Sequence, residues 1–349
     1  MKTKILALSC LALAACDHWN GSCEDLAEWS IPISRGTSKE GADANATRAP
    51  DGSLFAAFTD DDVTFGTMRV RGPHVAHVSE DGDIIALADA SGGGMYPGVM
   101  RATSDRLYVA WGVNPGTLQA YDYDLHSLWS VSLGTSYQQP LDVAATGEVV
   151  TVKSTQGPVM TETEILYLNR DGTTRWSLAC GTCSLGSIRF TDNADVIAYV
   201  YESSMVVRRR LAAADGTVLE EMMVPPTGSP FGNVFLPDGG SLVLNYDHEY
   251  IVQRFDAKGV ELWSHRYAAL ALNNPVLSTT GDILLEAAHE GLHGSRYDVL
   301  VLDGATGAER ATIPSCGYIN VLAADAQAYY GLGLTGSDSV GLARFSMTP

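Results

Sequence analysis

The feature that most constrains the fold is a hairpin-like segment that recurs along the chain. Its clearest copy is FDAKGVELWSHRY, residues 255–267, where a tight turn at residues 257–259 precedes a strand containing a tryptophan. Similar segments are YDYDLHSLWSVSL ending at Leu133, YLNRDGTTRWSLA ending at Ala179 and the weaker VLDGATGAERATI ending at Ile313. Such a repeat predicts a fold assembled from copies of one supersecondary unit.

Each unit also contains an earlier turn between two apolar strands, and these turns recur about every 46 residues. They fall near Asp51-Gly52, Ser104-Asp105, Thr146-Gly147, Asn193-Ala194, Asp238-Gly239, Thr280-Gly281 and Asp325. Short strands of period two between turns predict an all-β fold, a seven-bladed β-propeller of four-stranded blades. Because the last unit is one strand short, we expect the N-terminal strand around Trp29 to complete the last blade and close the ring.

The tryptophan that follows the tight turn resembles the PQQ-like repeat of quinoprotein-dehydrogenase-like propellers and of the propeller lipoprotein of the outer-membrane β-barrel assembly machinery. The resemblance implies that four indoles dock neighbouring blades: Trp29, Trp129, Trp176 and Trp263. The chain departs from this family in three features. The family typically has eight blades, whereas seven are predicted here, and the adjacent-cysteine pair that resembles a quinone-contact signature in the dehydrogenases is absent. The tryptophan is kept in only three of the six hairpins, in addition to Trp29. We therefore expect no cofactor, with PQQ and Ca²⁺ as the alternatives left open.

The N-terminus resembles the leader of a bacterial lipoprotein. A basic start, a short apolar core and Leu-Ala-Ala precede Cys16, so residues 1–15 are predicted to be a signal peptide and Cys16 the lipid attachment site. Residues 16–25 would form the anchor and linker, and residues 26–349 one propeller domain. This predicts a lipid-anchored protein of the bacterial cell envelope, on the periplasmic or cell-surface side, with the choice of membrane open. The alternative is an ordinary signal peptide that is cut nearby.

The charge of the chain limits its partners. The formal net charge is −19 at pH 7, and so acidic a surface repels phosphate backbones and anionic headgroups. We therefore expect no nucleic-acid partner, and membrane contact only through the lipid on Cys16.

Five residues are candidates for a binding face on loops at one side of the ring. They are Asp60, Asp61, Asp62, Tyr96 and Trp111. Varied loops on one face of a rigid scaffold are where such folds usually bind their partners. The alternative is that these loops are solvated connections without a ligand.

One segment matches a zinc-protease motif by letter. His289, Glu290 and His293 spell HExxH, which binds zinc only where a helix brings both imidazoles to one face. Here the repeat predicts a β-hairpin tip, so we interpret the match as coincidental and predict no metal site.

The cysteines predict disulfide chemistry. Cys180 and Cys183 form a CxxC between two blades, which in an extracytoplasmic protein predicts a local disulfide. A bond between Cys23 and Cys316 is a second possibility that the sequence leaves open.

The sequence is compatible with two functions. The first is a non-catalytic binding or scaffold module for a protein or glycan partner, because no recognisable catalytic set accompanies the repeats. The alternative is a propeller enzyme, either a quinoprotein-type oxidoreductase or a metal-dependent hydrolase. The sequence leaves the oligomeric state open.

Overall fold

A computed structural model describes the chain as short, mainly antiparallel strands. The described residues are 27–35, 43–65, 68–90, 96–112, 115–135, 140–156, 161–181, 183–202, 205–224, 229–236, 238–269, 271–272, 275–291, 294–315, 319–334 and 339–347. Cys16, Cys23 and Cys316 lie outside them, so the lipid attachment and the Cys23–Cys316 bond stay predictions. Within these ranges, no helix has the length and apolarity needed to cross a membrane.

The first half of the described chain contains thirteen strands. They are β1 (Ala27–Arg35), β2 (Asp43–Arg48), β3 (Leu54–Phe65), β4 (Met68–Val78), β5 (Ile84–Asp89), β6 (Tyr96–Ala102), β7 (Arg106–Gly112), β8 (Gly116–Asp122), β9 (Ser127–Gly134), β10 (Leu141–Val143), β11 (Val149–Gln156), β12 (Thr161–Leu168) and β13 (Thr174–Gly181).

The second half continues the pattern through β29. Its strands are β14 (Ser184–Phe190), β15 (Val196–Glu202), β16 (Met205–Leu211), β17 (Val218–Val224), β18 (Ser229–Phe235), β19 (Ser241–Asp247), β20 (Glu249–Phe255), β21 (Glu261–Tyr267), β22 (Ala271–Leu272), β23 (Val276–Leu277), β24 (Ile283–Gly291), β25 (Gly294–Leu302), β26 (Glu309–Pro314), β27 (Ile319–Ala324), β28 (Ala328–Leu334) and β29 (Ser339–Ser346).

The all-β prediction is confirmed and the arrangement is propeller-like, but the prediction of a seven-bladed propeller of four-stranded blades is wrong. The described strands form six sheets. Four have four strands, namely β2–β5, β14–β17, β18–β21 and β27–β29 with β1. One has five strands, β22–β26, and one has eight, β6–β13. Five sheets therefore have the size of a single blade, and the sixth is twice as large.

A close backbone approach explains the eight-stranded sheet. Gly134, the last residue of β9, pairs in parallel with Ser154 of β11 and so joins strands that the repeat pattern assigns to different blades. A Cβ on Gly134 would lie 1.9 Å from the Ser154 carbonyl oxygen, so only glycine permits this contact. The five-stranded sheet contains two short strands, β22 and β23, and both pair with β24.

The N-terminal strand belongs to the sheet of the C-terminal strands. β1 pairs antiparallel with β29, placing Trp29 opposite Arg344 and Ile31 opposite Leu342. The sheet order is β1-β29-β28-β27, so the two ends of the described chain are hydrogen-bonded to each other. This pairing covers the edge of β29, which would otherwise be open to another chain.

The core lies between neighbouring sheets. Leu244 and Val252 of one sheet pack with Leu285 and Ala287 of the next, and all four are buried. The other sheet interfaces have similar clusters of alternating apolar side chains. Burying these faces provides the main favourable term in folding, about 25 cal/mol per Å² of apolar surface.

Polar contacts join the innermost strands. The Asp142 carboxylate on β10 accepts the Phe190 N–H of β14 at 2.7 Å and lies 3.8 Å from Arg101 of β6. Asn45 of β2 donates from Nδ2 to the Gly98 carbonyl of β6 at 2.8 Å. Burial raises the pKa of the Asp142 carboxyl, although both Arg101 and the Phe190 amide oppose that shift.

Candidate binding face

The connections between strands lie on two opposite faces because successive strands run in opposite directions. The turn face contains tight turns such as Asp51-Gly52 and Asp81-Gly82, which lead from β2 to β3 and from β4 to β5. The hairpin face contains the connections from β3 to β4, β19 to β20 and β24 to β25. The two faces differ in what their side chains do.

Tryptophans on outer strands hold the turn face together. Each indole packs on a turn glycine of a neighbouring sheet or blade, at a distance that leaves no room for a Cβ. The pairs are Trp29 on Gly82, Trp129 on Gly172 and Trp176 on Gly216, with a built Cβ 2.8, 2.7 and 2.8 Å from the ring. Each indole N–H also donates to a carbonyl of the same turn, at Glu80, Arg170 and Ala213, over 2.8, 2.9 and 3.1 Å.

Trp263 also packs its ring on a turn glycine, but a different residue donates the hydrogen bond to that turn. Its ring lies 2.8 Å from a Cβ built on Gly307, but its indole N–H has no hydrogen-bond acceptor within the described ranges. The Arg254 guanidinium instead donates to the Gly304 carbonyl of this turn and to Asp238. An arginine therefore supplies the link that the indole N–H supplies elsewhere.

Ion pairs occupy much of the remaining turn face. Asp303 accepts hydrogen bonds from Arg310 and Thr306, and these hold the pKa of its carboxyl well below the usual range. Arg170 pairs with Asp105. Because these groups pair with each other and the indoles bind turn carbonyls, the turn face serves to hold the sheets together.

The predicted binding residues lie on strands. Asp60 is in β3 and pairs with Gly72, and a register shift between Asp60 and Val63 places Asp61 and Asp62 in a strand irregularity instead of a loop. Tyr96 is the first residue of β6. The structure thus extends the β3–β4 hairpin farther than the sequence pattern predicted.

Trp111 is buried and does not present its ring to a partner. It lies on β7, has 2% of its surface exposed, and packs with Phe55, Met100 and Tyr121 in the core. The expectation that it belongs to an exposed loop is wrong, because β7 continues through Gly112.

The HExxH segment lies on a hairpin, and His293 is outside the described residues. His289 and Glu290 are near the end of β24, opposite Arg296 and Ser295. Adjacent strand residues point to opposite faces, so the helical spacing that a zinc site needs is missing. His289 Nε2 lies 3.9 Å from the Asp298 carboxylate, and the described part of the chain has no group of three potential metal ligands.

The CxxC segment forms a disulfide. Cys180 and Cys183 are bonded, with their Cα atoms 5.7 Å apart, where β13 leads into β14. Cys183 is buried and contributes to the core beside Ile188. The bond therefore fixes one strand connection at the hairpin face.

The hairpin face has an exposed aromatic side chain, Tyr246, that the sequence analysis missed. Tyr246 near the end of β19 and Tyr250 near the start of β20 are opposite each other, and their ring centroids are 5.1 Å apart. Tyr246 is 49% exposed. Between them, His248 adopts a left-handed backbone conformation with φ of 61°, which allows the tight turn that connects β19 to β20.

The inner end of this pair is anchored in the core. Tyr250 and Tyr267 pack against the cluster that contains Leu244 and Ala287. Burial, with a contribution from Glu309, raises the pKa of the Tyr267 hydroxyl to about 12. The hairpin thus presents one exposed ring on a rigid aromatic base.

Charged side chains surround the tip of the hairpin. The Arg266 guanidinium lies 4.0 Å from the Asp247 carboxylate and 3.7 Å from the Glu249 carboxylate, and all three side chains are about half exposed. Sequence inspection passed over the NYDHEY segment because its first residues fit a core strand. Two tyrosines flanking an acidic turn were the available signal.

Comparisons with known proteins identify the class of fold. No family model matches the chain, and no curated protein matches it, so membership of the PQQ-like-repeat family stays a prediction. Among solved proteins, the chain is similar to the β-propeller-like protein described as "Structure of U3-55K". The identity is 10% and the TM-score 0.60, over 89% of this chain and 99% of that one. At this identity the similarity shows the fold alone.

Proposed function

We propose that this protein is a binding module that recognises a protein partner through its hairpin face, with Tyr246 as the central contact. The single observation that carries the proposal is the exposed Tyr246 ring on the rigid base of Tyr250. Exposed aromatic residues are the side chains most enriched in the energetic centres of protein interfaces. The contrast between the two faces supports the choice, since the turn-face indoles already pack on turn glycines and the turn-face ion pairs already bind one another.

We also propose that the module is lipid-anchored through Cys16 at the extracytoplasmic side of a bacterial membrane. The support is the leader sequence, in which a basic start, an apolar core and small residues precede Cys16. Metabolic labelling with an alkyne fatty acid tests it. Label should be lost in Cys16→Ala and kept in Cys10→Ala, which removes the other cysteine of the same leader. Label that survives in Cys16→Ala would contradict the anchor.

Site-specific photocrosslinking in the intact cell tests the binding function. A benzophenone amino acid is placed at position 246 in the full chain, and at position 128 as the matched control. Leu128 is 43% exposed on the outer strand β9, so it reports crosslinking to an exposed site outside the proposed interface. We expect a discrete protein adduct from position 246 that purified, unlabelled protein competes away.

Two results would contradict the proposal. Equal adducts from positions 246 and 128 would mean that Tyr246 is merely an exposed residue. Adducts that contain carbohydrate and no protein would assign the hairpin to a glycan partner.

A further inference from the structure

The proposed lipid anchor joins the folded domain through the start of β1, and this start lies at the turn face. Ala27, the first residue of β1, is opposite Phe345 of β29, and Phe345 is opposite Tyr329 of β28. Tyr329 is the second residue of β28, which begins directly after the tight turn at Asp325. That turn leads from β27 to β28 and so corresponds to the turn from β2 to β3. β1 therefore begins at the turn face and runs toward the hairpin face.

Contacts of Trp29 and Glu28 hold the start of β1 at the turn face. The Trp29 indole donates to the Glu80 carbonyl at 2.8 Å and packs on Gly82. Glu28 pairs with Arg344, and the Arg344 guanidinium also lies 4.0 Å from the Glu80 carboxylate. A tether that enters the domain at β1 is therefore fixed to the turn face.

The lengths of the tether and of the strands favour one face as the nearer to the bilayer. Residues 17–26 separate Cys16 from Ala27. An unstructured segment of this length spans about 17 Å on average and about 36 Å at most. β28 has 7 residues and is therefore about 23 Å long. To bring the hairpin face to the bilayer, most of the tether would have to run extended along a strand, which costs conformational entropy.

Adhesion of another surface to the bilayer would override the tether, and the charge of the protein opposes such adhesion. The formal net charge is −19 at pH 7, so anionic headgroups repel the protein. The position of the tether therefore sets the orientation of the domain.

We infer that the turn face is turned toward the bilayer and that the hairpin face is presented to the aqueous compartment. Tyr246 then lies about a strand length farther from the bilayer than the tight turns do. The protein partner therefore meets Tyr246 with a part that lies in the aqueous compartment. This inference rests on the proposed anchor and binding function, and it specifies the side from which the partner approaches.

Energy transfer from the anchored protein to labelled vesicles tests the inference. An azide-bearing amino acid replaces an exposed residue of the full chain, Asp81 or Lys258 at the turn face and Glu249 at the hairpin face, and is coupled to a donor dye. The lipid-modified protein is added to phosphatidylcholine vesicles with an acceptor dye on the headgroup. Transfer should be at least about twofold stronger from positions 81 and 258 than from position 249, because the faces are a strand length apart. Equal transfer, or stronger transfer from position 249, would overturn the inference.

Two further proteins test the role of the tether. Residues 17–349 without the lipid should show no transfer from either face, and transfer from this protein would mean that adhesion sets the orientation. Inserting about twenty glycine and serine residues before Ala27 lengthens the average span of the tether to about 30 Å. Because this span exceeds a strand length, the difference between the two faces should narrow. An unchanged difference would also overturn the inference.

Failure of this inference is distinguishable from failure of the proposed function. Fatty-acid label on Cys16 together with equal transfer from the two faces would leave the anchor standing and reject the orientation. A specific protein adduct at position 246 would likewise leave the binding function standing. Absence of label on Cys16 would reject the anchor itself, and the orientation with it.

Discussion

Trp29 lies over Gly82, and this contact joins the sheet that contains both ends of the described chain to the sheet of β2–β5. A Cβ built on Gly82 would lie 2.8 Å from two indole carbons, and the indole N–H donates to the Glu80 carbonyl at 2.8 Å. Gly82 has a φ of 89°. The glycine is therefore required twice, by its backbone conformation and by the ring above it.

Gly82→Ala should destabilise the protein more than the same substitution at Gly281. Gly281 has a similar φ of 84° but no atom within 4 Å of a built Cβ, so it isolates the conformational cost. We expect a loss of about 1–2 kcal/mol for Gly281→Ala. For Gly82→Ala we expect about 1–3 kcal/mol more, from the clash with Trp29. Urea unfolding of both variants measures the difference, and equal losses would mean that the indole contact contributes nothing.

Arg254→Met should destabilise the sheet interface at Trp263. Arg254 is 12% exposed at its side chain and donates to Gly304 and Asp238, so its loss leaves the Gly304 carbonyl without that donor. We expect a loss of about 1–3 kcal/mol. The control is Arg266→Met, where the arginine is 56% exposed and a change of at most about 0.5 kcal/mol is expected. Similar losses in both variants would refute the role given to Arg254.

Asp142→Asn should become more stable relative to the native protein as pH rises. Burial raises the pKa of Asp142 above its unfolded value, so the folded state holds this proton more tightly. Stability from the protonated form is present below the unfolded pKa and lost as pH rises through the folded pKa. The variant cannot ionise, so its advantage should grow between about pH 4 and pH 7 in urea unfolding.

Asp171→Asn is the control, because its stability relative to the native protein should change with pH in the opposite direction. Hydrogen bonds from Thr173 lower the pKa of the Asp171 carboxyl, so its contribution to stability is present above the unfolded pKa and lost on acidification. This variant should therefore fall behind the native protein as pH rises toward and through the unfolded pKa of about 4, and the difference should stay constant above about pH 5. The same direction of change in both variants would contradict the raised pKa of the Asp142 carboxyl.

Replacing both cysteines of the disulfide should reduce stability by a moderate amount. Cys180 and Cys183 are three residues apart, so the bond closes a very short loop and restricts the unfolded chain by about 2 kcal/mol. The free energy of unfolding of the double serine variant should equal that of the native protein measured with a reducing agent present. Native protein that loses no stability on reduction would show that the bond contributes nothing to the fold.

The sequence predicted features that depend on local patterns. Period-two apolar runs between the recurring turns predicted strands, and a last unit that is one strand short led to the expected pairing of Trp29's strand. The separation of the sheets depends instead on a single close approach, between Gly134 and Ser154. A backbone contact of this kind leaves no periodic signal, because any turn glycine is a candidate for it.

The candidate site was harder to predict because exposure depends on where a strand ends. Trp111 was placed on a loop, but β7 continues past it and buries the ring. Tyr246 was not among the predicted binding residues, although it lies two positions before the turn at His248 and is 49% exposed. Residues within two positions of a hairpin tip can change between core and surface without a change in sequence pattern.

Hydrogen exchange with and without the partner tests the central claim most directly, namely that the hairpin face binds and the turn face does not. The partner recovered by crosslinking at position 246 is added to the full chain, and protection is compared between residues 241–255 and residues 303–307. We predict slowed exchange in the β19–β20 hairpin and unchanged exchange in the turn that packs on Trp263. Protection confined to the turn, or absent from the hairpin, would contradict the account.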